Sequence, residues 1–249
     1  RASLAWAEFP AVAAVSASES AANATDHTVN LPSGIGSGNL LIALFVTDGI
    51  PTITWPAGWT QLFSEVEGTS VKVEVRYRVA DGTEGASITV TTDAAQETEH
   101  QTWRITGQHS TSAPEAGIAG AGVSSSPDPP ALSPSWGAED TLWIALMGSD
   151  NSLTVSAYPT NYSDNQRSAN SGGAGGVTVG SAIRNLNTAL DNPGAFTLSA
   201  SENNVRNVLA IRPAIAVPPP PPLTPANPIE FVPGPHAAPG QDAIEMVPR

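Results

Sequence analysis

A ten-residue segment, Asn39 to Asp48 (NLLIALFVTD), recurs at Thr141 to Asp150 (TLWIALMGSD), with Leu40 answering Leu142, Ile42 Ile144, Ala43 Ala145, Leu44 Leu146 and Asp48 Asp150. A near-continuous apolar run of this length, entered from a Gly/Ser loop and left through an Asp-led turn, reads as a central strand covered on both faces. Its recurrence marks an internal duplication, and the chain length then accommodates two domains of ordinary size plus a tail. The expected organisation is an N-terminal segment 1–9, a first repeat 10–107, a linker 108–113, a second repeat 114–213 and a Pro-rich arm 214–249.

Within the first copy the pattern predicts seven short strands separated by Gly, Pro, Asp and Ser signals, which suggests an antiparallel sandwich. Ala11 to Ser18, His27 to Leu31 and Leu40 to Thr47 come first. Ile53 to Trp55 continues through Trp59 to Phe63, and Val71 to Val79, Ala86 to Thr92 and Glu99 to Thr106 follow. Val71, Val73, Val75, Tyr77 and Val79 alternate with Lys72, Glu74, Arg76 and Arg78, which predicts one buried face and one charged face in water. The second copy keeps the order: Val71, Val73, Tyr77 and Arg78 correspond to Val177, Val179, Ile183 and Arg184, and Trp103 and Ile105 to Leu209 and Ile211. The fold expected is all-β, two tandem antiparallel β-sandwich repeats of immunoglobulin-like or jelly-roll-like type.

The net charge of −13, with a single lysine, argues against a phosphate-backbone partner, which requires clustered basic residues. There is no cysteine, so neither disulfides nor thiolate metal sites are available. No apolar run approaches the roughly 18 to 20 residues that span a bilayer. The Arg- and Ala-containing start has a signal-peptide flavour, but Glu8 and Pro10 interrupt it, and AVAAVSASES reads as a first strand.

After Pro213 the composition changes. Pro218 to Pro222 form a polyproline run, which favours a stiff extended stem. Ile229, Phe231 and Val232 of IEFVP recur as Ile244, Met246 and Val247 of IEMVP. Two β-prone motifs on a stem predict docking by strand addition to a neighbouring sheet edge or by laying into grooves, the alternative being folding back on the same chain.

Candidate sites for chemistry are few. His27, His100, His109 and His236 lie in separate segments without zinc-ligand spacing, so no metal or cofactor is expected. Glu97, Glu99 and His100 read as a solvated strand end and not an acid/base set. Asp48–Gly49 and Asp150–Asn151 read as turns rather than calcium ligands. Lys72, on the outer face of its strand, is unsuited to an isopeptide bond. Trp55 and Trp59 correspond to Tyr158 and Tyr162 of the second copy; all four flank prolines and are candidates either for a buried plug or for glycan stacking. No nucleophile elbow or phosphate loop is present, and the chain is read as non-enzymatic.

The succession LPSGIGSGNLLIALFVTDG, PAGWTQL, YRVADGTEGASITVTT, PDPPALSPSWGAEDTLWIAL and NPGAFTLSASE resembles a family of duplicated β-sandwich proteins encoded by tailed bacteriophages and prophages of environmental bacteria. The resemblance covers about residues 10 to 213 and rests on fold markers. It implies a virion surface component, such as a head decoration protein, head fibre or tail fibre, with capsid or tail subunits as partners and homo-oligomers expected. It brings no catalytic residues. The alternatives are a glycan-binding adhesin module and an accessory module of a polysaccharide-degrading enzyme.

Overall fold

The computed structural model describes residues 8–173 and 175–215. The strands of the first repeat are β1 (Ala11–Asn30), β2 (Leu40–Asp48), β3 (Ile53–Thr54), β4 (Thr60–Glu67), β5 (Val71–Val79) and β6 (Ser87–Thr106). Those of the second are β7 (Glu115–Ala116), β8 (Gly120–Ser124), β9 (Glu139–Asp150), β10 (Val155–Ala157), β11 (Asp164–Asn170), β12 (Val177–Thr188), β13 (Thr197–Leu198) and β14 (Glu202–Ile211). The protein is all-β and every strand pairing is antiparallel.

The first repeat forms one large sheet, ordered β1-β6-β2-β5-β4, and the second another, ordered β11-β12-β9-β14-β7 with β8 also on β14. The duplicated segments, β2 and β9, are therefore the middle strands. The two sheets stack in the orders just given, β6 over β12, β5 over β9 and β14, and β4 over β14 and β8. Inward-pointing Leu40, Ile42, Leu44, Val46, Val73, Val75, Trp103 and Ile105 meet Leu142, Ile144, Leu146, Val177, Val179, Val205, Leu209 and Ile211 in a single core between the copies.

The outer face of each middle strand is apolar too, and each copy roofs it with its own chain. Leu41 and Ala43 lie under Leu31, Trp59 and Ala80, while Phe45 lies under Val29, Ile53 and Val90. In the second copy Trp143, Ala145 and Met147 lie under Leu132, Val155, Tyr162, Phe196 and Leu198. This double covering explains why the duplicated segments lack the polar alternation of a half-exposed strand. Burial of each large side chain here contributes roughly 1.5–3 kcal/mol.

Two tandem sandwiches thus describe the chain only in part. Each copy does have a sheet and a small roof, but the largest core belongs to both copies at once. The four expected strands Ala11–Ser18, His27–Leu31, Ala86–Thr92 and Glu99–Thr106 also merge into two. β1 and β6 pair along their whole length, with register shifts between Ser20 and Asp26, and Val29 and Val90 pack on the outward side chain of Phe45. The ribbon therefore bends at the irregularity and folds over its own sheet, as β-bulges permit. In the second copy the same path is interrupted, leaving β13 separate from β14 and held by Leu198 and Phe196 N–H bonds to Ser125 and Pro127 carbonyls.

Both repeats end at the same place. Gln108 bridges Pro213, the Ala214 N–H donates to Gly107, and the His109 N–H donates to Arg212. Arg212 in turn holds Glu139 at 2.6 Å.

Candidate functional site

The loop aromatics of the first copy serve the roof. Trp59 is 6% exposed, and Trp55 is half-buried against it and against Phe45. Trp55 Nε1 donates to Glu74 Oε2 at 2.9 Å, and the Arg76 guanidinium lies 5.5 Å from the Trp55 ring centre. Tyr162, the counterpart of Trp59, is fully buried, donates to Asp191 and sits beneath Arg184, which pairs with Asp191 at 3.0 Å. Tyr158 is half-buried against Phe196. The four residues form two plugs, not a stacking platform.

These plugs correct the expectation of a charged face in water on β5. Glu74 is 3% exposed and is gripped by Trp55, Ser64 and Arg76 under the roof. Lys72 points to this outer side, donating to the Pro51 carbonyl at 2.9 Å.

One end of the molecule gathers carboxylates. Asp48 and Asp150 close the two middle strands, and each is followed by a left-handed residue, Gly49 at φ 64° and Asn151 at φ 65°. Asp150 Oδ1 accepts the N–H of the next residue, Asn151, at 2.9 Å. Burial raises both carboxyls above their usual range, and Asp48 adds to the rise at Asp150. Glu97 and Glu99, expected in solvent, are 6% and 2% exposed. The reason is topological: both lie on the inward side of β6, where the opposing sheet covers them. Glu99 faces Glu19 across the β1–β6 ladder, and burial followed by that neighbour pushes its carboxyl up to about 8. Among the described residues no group of three or more His, Cys, Asp or Glu side chains is placed to hold a metal ion.

The outward side of the same ribbon carries a polar chain that spacing in the sequence does not reveal. His27 and His100 are fully buried, with ring centres 6.3 Å apart, and Phe45 stacks on His100 at 4.7 Å. Thr98 Oγ1 stands between them, 2.9 Å from His100 Nε2 and 3.0 Å from His27 Nδ1. Ser18 Oγ lies 3.0 Å from His100 Nδ1, Ser20 Oγ 2.9 Å from His27 Nδ1, and Thr92 Oγ1 3.0 Å from His27 Nε2.

One bond sets the direction of the whole series. The Thr92 hydroxyl donates to the Ala94 carbonyl at 2.8 Å, so Thr92 must accept from His27 Nε2–H. His27 Nδ1 is then an acceptor for Thr98, Thr98 accepts from His100 Nε2–H, and His100 Nδ1 accepts from Ser18. Every donor then points the same way, and an imidazolium at either histidine would require the hydroxyl that donates to it, at Ser18, Ser20 or Thr98, to turn its hydrogen away. Burial accordingly lowers the His27 imidazole, with Asp26 opposing, and holds His100 down at about 3, His27 adding to the effect. Such histidines are poor bases at neutral pH; what they do is lock β1 to β6 at the bend. Thr98 alone lies at alternate spacing from a histidine, His100; the other hydroxyls come from segments that only the β1–β6 register and the bend bring together.

His109 accepts the Ser112 N–H at 2.9 Å and shapes the linker. The arm residues Pro218, Pro222, Ile229, Phe231, Val232, Ile244, Met246 and Val247, and His236, lie outside the described residues.

No family model, curated protein or solved structure matches this chain.

Proposed function

We propose that the protein is a non-enzymatic structural component of a bacteriophage particle surface, a capsid decoration protein, head fibre or tail fibre, anchored to neighbouring capsid or tail subunits through its C-terminal arm. The observation that best supports this reading is that both faces of the middle strand of each large sheet are covered, one by the core between the copies and the other by a roof. Sheet edges, the two ends and the arm are what the molecule offers to partners. An acidic surface with one lysine suits a particle exterior that neither binds nucleic acid nor sticks to itself. The buried buttons of polar side chains at His27, His100 and Tyr162 serve packing. Burial of Trp59 and Tyr162 counts against the glycan-binding alternative, which needs them in solvent.

Deleting Pro218 to Arg249 tests the reading. The truncated chain should keep its circular dichroism spectrum and melting behaviour but be absent from purified particles. Truncated protein that enters particles at the wild-type level would rule out anchoring by the arm.

A further inference from the structure

Of the edge strands longer than two residues in the two large sheets, β8 is the one without a charged residue. The long edge strand β1 is irregular and carries Glu19 on its inward side, features that discourage pairing with another strand. β8 has neither protection: from Ala116 to Pro127 the sequence has no charged residue, Ile118 is 90% exposed and Val123 64% exposed. Its only strand partner among the described residues is β14.

Arg206 of β14 adds a second feature. It lies across β8 on the outer side, and a Cβ on Gly120 would fall 2.9 Å from its Nε and one on Gly122 3.4 Å from its Nη1. Neighbouring strands are about 4.8 Å apart, so only the missing side chains of these glycines let the guanidinium extend over β8 toward the open edge. Arg206 donates to Asn204 Oδ1 at 3.0 Å, its Nε is buried without a partner, and it makes no ion pair among the described residues. The edge therefore presents a cation on its outer side and apolar side chains, Val123 and Ile118, beside it.

We propose that β8 is the acceptor for the IE-x-VP segments of a neighbouring copy, each adding as a strand with its glutamate, Glu230 or Glu245, on Arg206. This rests on the arm-docking reading above and adds a second copy of this chain to the partners of the arm. In an added strand alternate side chains share a face, so Ile229 and Phe231, or Ile244 and Met246, turn inward beside Val123 while the glutamate turns outward. The reverse facing would carry the glutamate to the inward side, where Glu65 of β4 lies. Pro233 and Pro248, lacking an N–H, end the pairing. Each chain has two such segments and one such edge, so in an assembly of identical chains every β8 takes one segment, Ile229–Pro233 or Ile244–Pro248, and the other is left over.

Charge reversal in full-length protein tests this, with association read by sedimentation velocity over a range of concentrations. Arg206→Glu alone, or Glu230→Arg with Glu245→Arg, should each weaken self-association by roughly tenfold or more. Mixing the two variant chains should restore it, because each then supplies the complement the other lacks. A wild-type chain that stays monomeric, variants that associate like wild type, or a mixture that gains nothing would overturn the proposal. Should a charge variant fold poorly, a Val123→Cys chain mixed with a Phe231→Cys chain gives an independent reading, since the protein has no other cysteine. A disulfide-linked pair is expected, and its absence under oxidation overturns the assignment. If arm deletion abolishes particle incorporation while Arg206→Glu self-associates like wild type, β8 is wrong and the anchoring role stands; if arm deletion changes neither self-association nor incorporation, both fall.

Discussion

Thr98 serves both imidazoles of the buried chain, so Thr98→Val leaves His100 Nε2–H without an acceptor and His27 Nδ1 with only Ser20. The expected loss is about 1–3 kcal/mol in denaturant unfolding, with amide exchange accelerated in Ser18 to Asp26 before the rest of the sheet. Glu99 makes a prediction of opposite sign in pH. Its folded value, about 8, lies above the ordinary 4.5, so as pH rises the unfolded chain releases its proton first; the stability is present below 4.5 and lost up to about 8. Glu99→Gln removes that loss, and its stability relative to wild type should climb across this window and then level. His100 works the other way, since its folded value near 3 lies below the ordinary 6.5: its contribution is present above 6.5 and lost as pH falls toward 3. Unfolding curves from pH 3 to 9 on wild type, Glu99→Gln and Thr98→Val separate these contributions.

Where the middle strands face each other, the duplication is broken at one position. Val46 in β2 has Gly148 as its counterpart in β9, and a Cβ at Gly148 would stand 2.6 Å from side-chain carbons of both Val46 and Val73. Gly148→Ala should therefore cost about 1–3 kcal/mol by overpacking, and less when combined with Val46→Ala than the two costs added. The middle strands themselves were legible because burial on both faces leaves an unbroken apolar run, and Val71 to Val79 because its inner valines alternate. What escaped the sequence was everything set by a second segment. Glu74 and Glu99 read as solvent-facing from their own strands, and only the roof over one and the opposing sheet over the other bury them. The polar chain at His27 and His100 was hidden for the same reason: its members are neighbours through the β1–β6 register, not through spacing along the chain. Trp59 and Tyr162 could be aligned as equivalents, yet whether they faced solvent depended on the roof.

At the scale of the molecule, the core between the copies makes them interdependent. A chain of residues 1–107 would expose the inner face of its sheet, including Leu40, Ile42, Leu44 and Trp103, to water. It should aggregate or fail to fold when expressed alone, whereas the whole protein should unfold in one cooperative transition; size-exclusion chromatography and calorimetry decide both points. The clamp at the linker has a mechanical corollary. Ala11 begins β1 beside Thr106, while Gly107 and Gln108 pair with the chain at Pro213 and Ala214, so the first strand and the departing arm share one end. Tension between these two points would peel β1 from β6 one bond at a time, the weak direction of a sheet. Were the molecule held beyond Ala214, as proposed, it would carry no such load: the pull would enter through β14, flanked by paired strands and braced by Arg212 on Glu139, and the end with Asp48 and Asp150 would face away from the anchor.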